Sequence, residues 1–295
     1  MAPTHLTDVE SALEKTARTV DEYLHALIPA DGSRIREAMR HGALGQGKRL
    51  RPFLVVESAR IFAAGDLNAL RVGAALECVH CYSLVHDDLP AMDNDDLRRG
   101  LPTVHKKFDD ATAILAGDAL LTLAFEILSA QSTHPDATVR SNLVLELAKA
   151  AGAAGMVGGQ MLDIEAETGN FASLEEISTM QSGKTGALFR FACAAPAIAV
   201  DADTRKILQY ADHIGLAFQI ADDILDVESD AATIGKATQK DKGKGKATFV
   251  DFFGLEGAKT EAKRLSAAAV DALSAYDKRA DHLRDIAAFV INRRK

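Results

Sequence analysis

The sequence has no tryptophan, and aromatic residues of all kinds make up only 5% of its 295 residues. A surface that stacks nucleic-acid bases needs such rings. The formal net charge is −8, and the basic residues come in short local groups rather than one stripe. Both features exclude nucleic acid as the expected partner. Cysteine is scarce: Cys78, Cys81 and Cys193. That is no disulfide framework, and it suits a reducing, cytoplasmic setting. Cys78-Val-His-Cys81 lies in an apolar, helical-looking segment with no second pair, so it reads as core rather than a zinc or redox site. No run of 18 apolar residues is present. The best stretch, Ala187 to Val200, is interrupted by Arg190 and Pro196. No integral membrane segment is therefore expected. The N-terminus, M-A-P-T-H-L-T-D-V-E, is polar and acidic, unlike a signal peptide.

Strand-type alternation is nearly absent as well, and helical spacing recurs throughout. Amphipathic or apolar helices are expected over Thr7–Leu27, with Thr7 and Glu10 as a capping box, and from Ser33 to His41. Gly42 to Pro52 reads as a glycine-rich basic loop. Further helices are expected over Phe53–Phe62, Asn68–Leu89, Ala111–Ser129, Ala137–Glu167, Leu174–Val200, Asp203–Val227, Leu255–Ala275 and Arg279–Asn292. Small residues in A-A-G-A-A-G-M-V-G-G would let backbones approach closely. Hydrophobic residue types make up 47% of the chain, enough for a large core. No linker or repeat divides it, so residues 1–295 are read as one all-α domain.

Against this apolar background two acidic runs stand out. The first is Ser83 to Gly100, S-L-V-H-D-D-L-P-A-M-D-N-D-D-L-R-R-G, with five aspartates and two arginines. Unpartnered carboxylates would repel one another there. A hard cation such as Mg²⁺ would gather them, completing its shell with phosphate oxygens and water. On a continuous helix Asp87 and Asp93 would face opposite ways. Pro90 should end or kink that helix near Leu89 and let the two converge. Arg98 and Arg99 read as anion clamps beside the metal. The second run is Gln219-Ile220-Ala221-Asp222-Asp223-Ile224-Leu225-Asp226. Asp222 and Asp226 share a helix face, and Asp223 points about 100° away. Aspartates on an otherwise apolar helix are costly unless paired or metal-bound. Two such clusters suggest facing carboxylate walls that hold Mg²⁺ and a diphosphate between them, the metals making the diphosphate a leaving group.

Basic residues are available to complete the site. Gly47-Lys48-Arg49-Leu50-Arg51-Pro52 is a compact cationic group. Gly42 to Lys48 matches G-x-x-x-x-G-K, but Arg49 stands where Ser or Thr is needed and no strand precedes it, so a nucleotide P-loop is rejected. Lys184-Thr185-Gly186, Gly235-Lys236 and Gly245-Lys246 are further candidates. His80 by itself reads as a core histidine.

In this order, G-K-R-L-R-P, D-D-L-P-A-M-D with R-R-G, K-T-G and F-Q-I-A-D-D-I-L-D resemble the short-chain trans-prenyl diphosphate synthases, the bacterial farnesyl diphosphate synthases above all. The resemblance implies an all-α isoprenoid-synthase-type helical bundle around a central cavity, a homodimer and three Mg²⁺ ions. It implies head-to-tail condensation of isopentenyl diphosphate with an allylic diphosphate, dimethylallyl or geranyl. The aspartate motifs correspond to Asp87, Asp88 and Asp93 and to Asp222, Asp223 and Asp226; metal ligands are expected at Asp87, Asp88, Asp93, Asp222 and Asp226. Isopentenyl diphosphate would sit on Lys48, Arg51, His80 and Arg99. The allylic diphosphate would sit against Arg98, Lys184, Thr185, Gln219, Lys236 and Lys246. Thr185 and Gln219 would also border the developing cation. The departing diphosphate serves as the base in this family. Gly159-Gln160-Met161-Leu162-Asp163 matches a supporting G-Q-x-x-D motif.

Tyr82 lies five residues before Asp87, about 7.5 Å along a helix. If it faces the tail pocket, its ring forms a floor. In the family an aromatic there, with the Pro-Ala insertion of the first motif, goes with a C15 product. A geranylgeranyl diphosphate synthase is the same-fold alternative. A non-catalytic regulatory subunit is the alternative of another class, but such a subunit is expected to lose an aspartate motif, and both are intact. A terpene cyclase would not need Lys48 and Arg51.

Overall fold

The computed structural model describes residues 4–44, 47–65, 67–168, 173–232 and 248–293. Lys236, Lys246 and the last two residues lie outside them, as does Gln46. The described chain is all-α apart from one hairpin. In order it forms α1 (Thr4–Leu27), α2 (Arg34–Ala43), α3 (Leu50–Phe62), α4 (Ala69–Asp87), β1 (Leu97–Arg98), β2 (Leu101–Pro102), α5 (Val104–Lys107) and α6 (Asp110–Ser129). Then come α7 (Ala137–Ala151), α8 (Met156–Thr168), α9 (Leu174–Gln181), a π turn (Ser182–Gly186), α10 (Ala187–Ala199), α11 (Arg205–Ala232), α12 (Phe249–Ala272) and α13 (Asp281–Asn292).

Helix α4 lies among α1, α3 and α6, and α10 packs on α3, α7 and α11. Phe53, Leu76, Leu120, Leu143, Phe189 and Tyr210 are fully buried between them. The Tyr210 hydroxyl donates to the Leu283 carbonyl at 2.8 Å, so even this buried polar group ties α11 to α13. A smaller cluster around Ile220, Phe249 and Leu265 seals α11 against α12. Cys78, Cys81 and Cys193 are buried thiols, and burial raises all three pKa values.

Several boundaries differ from expectation. Helix α1 runs from Thr4, which places Thr7 and Glu10 inside it rather than at its start. The capping boxes are instead Ser173 with Glu176 and Thr248 with Asp251, at the starts of α9 and α12. The basic loop is shorter than Gly42 to Pro52: α2 runs through Ala43 and α3 starts at Leu50. Pro52 is accommodated because it sits in the first turn, where its missing N–H is not needed. Ala137–Glu167 breaks between Ala151 and Met156, and Leu174–Val200 is interrupted by the π turn. Helix α12 starts at Phe249 and kinks at Gly254, where φ is 66°.

Membrane-like composition appears in α6 rather than in Ala187–Val200. Over Asp110–Ser129 the mean hydropathy reaches 1.7, enough by length and composition to cross a membrane. In the fold this helix lies along α4 and contributes Ala116, Leu120, Ala124 and Ile127 to the core.

Candidate active site

The first acidic run ends α4 and folds back. The Asp93 N–H donates to the Asp87 carbonyl at 2.8 Å, and the Asp95 N–H to the Asp88 carbonyl at 3.2 Å. The break at Leu89-Pro90 therefore does bring Asp93 beside Asp87. Asn94 and Arg99 take left-handed backbone, with φ of 53° each, and Gly100 follows at 79°. These residues turn the chain into the β1–β2 hairpin, which was not foreseen in the sequence because each strand has only two residues.

Burial pushes the Asp87 pKa up to about 6; Lys184 opposes the rise and Asp93 adds to it. Asp88 has a different setting. Its carboxylate is buried and accepts from Arg98 Nε at 2.7 Å, and Asp95 lies 3.7 Å from the same guanidinium. Burial raises its pKa too, against the pull of Arg98. So Asp88 and Arg98, expected at a metal and a diphosphate respectively, are paired with each other here.

The K-T-G residues form the π turn. A π insertion adds a residue to a helical turn and is often found at functional sites. Here it advances Lys184 to Asp163, whose carboxylate it meets at 2.6 Å. Asp163 belongs to G-Q-x-x-D, and Gly159 of the same motif lets α8 contact the turn. A Cβ on Gly159 would lie 2.0 Å from the Lys184 backbone nitrogen. The Thr185 hydroxyl donates to Gln219 Oε1 at 3.3 Å, bringing two more expected site residues together.

The basic loop divides its three cations. Arg49, at φ 50°, turns inward and is buried against Glu77 at 2.6 Å, Asp21 at 2.7 Å and the Ala43 carbonyl. Burial works against its charge, but the two carboxylates outweigh it and raise its pKa. Arg51 points elsewhere. Its guanidinium lies 5.2 Å from the Phe189 ring centre, and its buried Nε has no hydrogen-bond partner. Burial lowers its pKa, while Glu77 and Asp222 act to raise it. Lys48 stands over the Phe289 ring, and its pKa is lowered first by burial and then by Arg293. His80 has a pKa far below its ordinary value, through burial and then the charges of Arg51 and Arg99. Arg51, His80 and Arg99 thus form one neighbourhood, while Lys48 lies toward Phe289, Arg293 and Asp222. An unpartnered buried guanidinium nitrogen beside a neutral imidazole suits an incoming anion.

On α11, Asp222 accepts from Arg293 Nη2 at 2.5 Å. Its pKa is raised by burial and lowered by that arginine. Arg293 also stands 3.9 Å over the Phe218 ring, which lies 5.5 Å from Phe189. The two phenylalanines separate Arg51 from Arg293. Sequence reasoning missed this aromatic divider, because in an apolar helix nothing distinguishes a site phenylalanine from a core one. Asp223 accepts from Gln219 Nε2 at 3.3 Å and from the Phe249 N–H at 3.0 Å.

Among the described residues no three His, Cys, Asp or Glu side chains form a ready metal cage. Mg²⁺ does not require one: one or two carboxylates suffice when phosphate oxygens and water fill the remaining positions. Asp87 is half-buried with its pKa raised to about 6, and Asp93 and Asp88 crowd it against the pull of Lys184 and Arg98. The donor set fits a cation that arrives with a diphosphate. Tyr82 is buried and edge-on to His86, with ring centres 5.7 Å apart, and Asp87 contributes to raising its pKa. A cleft of about 1510 Å³ lies among α7, α8, α9 and α10, lined by Val157 and Phe191 and bordered by the G-Q-x-x-D motif through Gly159, Met161 and Leu162.

The polyprenyl synthetase family model matches residues 33–286. Farnesyl diphosphate synthase of Escherichia coli is 46% identical over 263 residues, 87% of either chain. Geranylgeranyl diphosphate synthase of Cyanophora paradoxa is 38% identical over 278 residues, 93% of either chain. The crystal structure of an FPP/GFPP synthase from Zymomonas mobilis, without ligand, superposes with a TM-score of 0.87 at 45% identity, covering 97% of this chain and 99% of that one. With the family model spanning both acidic runs and the solved relative covering 97% of the chain, this chain belongs to the polyprenyl synthetase family.

Proposed function

We propose that the protein is a prenyltransferase that condenses isopentenyl diphosphate head-to-tail with dimethylallyl or geranyl diphosphate to give farnesyl diphosphate, with Mg²⁺ as cofactor, three ions being the expected number. The observation that carries this reading is the fold-back that sets Asp93 on Asp87, with Lys184 acting on the same carboxylate. Relatives at 41–46% identity that carry the farnesyl synthase name support the C15 product.

Bound Mg²⁺ would supply Lewis-acid neutralisation of the allylic diphosphate, held at Asp87 and Asp93 on one wall and at Asp222 and Asp226 on the other. The protein groups do the rest. Lys184 and Arg98 add positive charge near the leaving group as its C–O bond breaks. Thr185 and Gln219 border the cation that remains. Lys48, Arg51, His80 and Arg99 orient isopentenyl diphosphate so that its double bond attacks that cation. The proton released then passes to the departed diphosphate. Lys236 and Lys246 are expected to join the allylic site but lie outside the described residues. Asp88 is assigned less directly, since Arg98 already occupies it.

The test is to incubate the protein with Mg²⁺, isopentenyl diphosphate and each allylic primer, then identify the product by chromatography. Farnesyl diphosphate is expected. A C20 product would favour the geranylgeranyl reading, and no diphosphate release with any primer would reject the enzyme. A cytoplasmic location is proposed from the three unpaired thiols. A homodimer is proposed from exposed apolar side chains on α6, α7 and α8.

A further inference from the structure

Asp223 belongs by spacing to the second acidic run, yet both its oxygens have partners of another kind. Oδ1 accepts from Gln219 Nε2 at 3.3 Å, one turn earlier on α11. Oδ2 accepts from the backbone N–H of Phe249, the first residue of α12, at 3.0 Å. At its other end the Gln219 amide accepts from the Thr185 hydroxyl at 3.3 Å. One hydrogen-bond chain therefore runs from the π turn through α11 to α12.

The direction of this chain is fixed by chemistry. An ionised carboxylate only accepts, whereas a carboxamide has one accepting end and one donating end. With Asp223 accepting, Gln219 must turn its NH₂ to Asp223 and its oxygen to Thr185. Thr185 then commits its only proton to Gln219. The lone pairs of its Oγ1 remain for whatever lies beside it. Lone pairs stabilise a positive carbon, and a hydroxyl proton pointing the same way would repel it.

We infer that Asp223 is a positioning residue: by accepting at both oxygens it sets the Gln219 amide, and so holds the Thr185 hydroxyl with its lone pairs toward the carbon that becomes cationic. This rests on the proposed function, which places Thr185 and Gln219 beside that carbon.

Asp223→Asn is the informative variant because it keeps shape and removes one accepting site. If the new amide keeps its oxygen on the Phe249 N–H, its NH₂ faces Gln219. Two NH₂ groups cannot bond, so Gln219 turns over and donates to Thr185, whose proton swings toward the substrate. The expected result is a fall in kcat of roughly a hundredfold, the lower end of the scale for losing one well-placed dipole. KM for both substrates, the Mg²⁺ dependence and the amide-exchange protection of Phe249 should barely change. Adding Gln219→Glu restores an acceptor-only group between the new amide and Thr185, with the original total charge, and should recover most of the lost kcat. A residue that merely capped α12 would give a different pattern, with Phe249 protection lost and no rescue. Wild-type kcat in Asp223→Asn, repair of its defect by raised Mg²⁺, or a double variant no faster than the single would each overturn the assignment. Wild-type enzyme assayed in parallel separates the two levels: no turnover there rejects the function itself, whereas normal turnover there and in Asp223→Asn rejects only the positioning role.

Discussion

Asp87 is a carboxylate whose surroundings resist its charge. Burial raises its pKa from 3.8 to about 6. The fold therefore favours the protonated form. That contribution is complete below pH 4, shrinks as pH rises through 4 to 6, and is gone above. At pH 7 the metal-free protein holds an ionised Asp87 at a net cost, so Asp87→Asn should raise Tm, by about 1–3 kcal/mol in unfolding free energy after allowing for partial solvation. The same variant should abolish turnover. Scanning calorimetry and the condensation assay check the two halves, and a lowered Tm would refute the burial argument. Protons and Mg²⁺ compete for this group, so below pH 6 Mg²⁺ affinity should weaken by about tenfold per pH unit, read by titration calorimetry. Tyr82 carries the product-length prediction: Tyr82→Ala should shift the product beyond C15 by opening the space beside His86. An unchanged chromatogram would mean that Tyr82 only packs. At this scale the sequence located the residues better than their directions. Lys48, Arg49 and Arg51 look alike as letters, but a single left-handed φ at Arg49 sends it to Glu77 and Asp21.

Among the elements, the π turn decides where the K-T-G side chains go, and α8 decides where the π turn goes. Apolar periodicity showed that Leu174–Val200 is helical. It could not show the interruption, because one added residue moves the apolar stripe less than a window of that length resolves. The small residues of A-A-G-A-A-G-M-V-G-G did indicate a close approach, and Gly159 against Gly183 and Lys184 is that contact. Capping boxes were harder to place. Thr7-x-x-Glu10 and Thr248-x-x-Asp251 have the same form, and only the tertiary position of α12 selects the second. Gly159→Ala should therefore act as an element-level lesion. The added methyl would displace the π-turn backbone at a cost of about 1–3 kcal/mol, and the Lys184–Asp163 pair would shift with it. Thermal unfolding and kcat should both fall. Gly65→Ala, where nothing lies within 4 Å, is the control. Equal behaviour of the two variants would show that the close approach is not needed.

For the whole molecule, the telling element is α6, which is apolar on more than its core face. Its buried side packs on α4, yet Ile114 and Leu115 are 45% and 58% exposed. The neighbouring α7 and α8 add Leu145, Val157 and Met161, each about half exposed. A helix that is apolar around its circumference is normally covered on both sides, and contiguous exposed apolar surface marks an interaction site. A second copy of the chain is the expected cover, and a lipid surface is the alternative. Composition favours the former: the described helix has no cationic first or last turn to seat it at anionic headgroups. The sequence carried the apolar half of this signal, but which face points outward became legible only once α4 was placed against α6. Sedimentation equilibrium should give about twice the 31.5 kDa chain mass. Leu115→Asp combined with Leu145→Asp should return the monomer, because a buried unpaired carboxylate costs several kcal/mol at each copy of a dimer surface and nothing in a monomer. A wild-type monomer that floats with phospholipid vesicles would assign this face to lipid and reject the dimer.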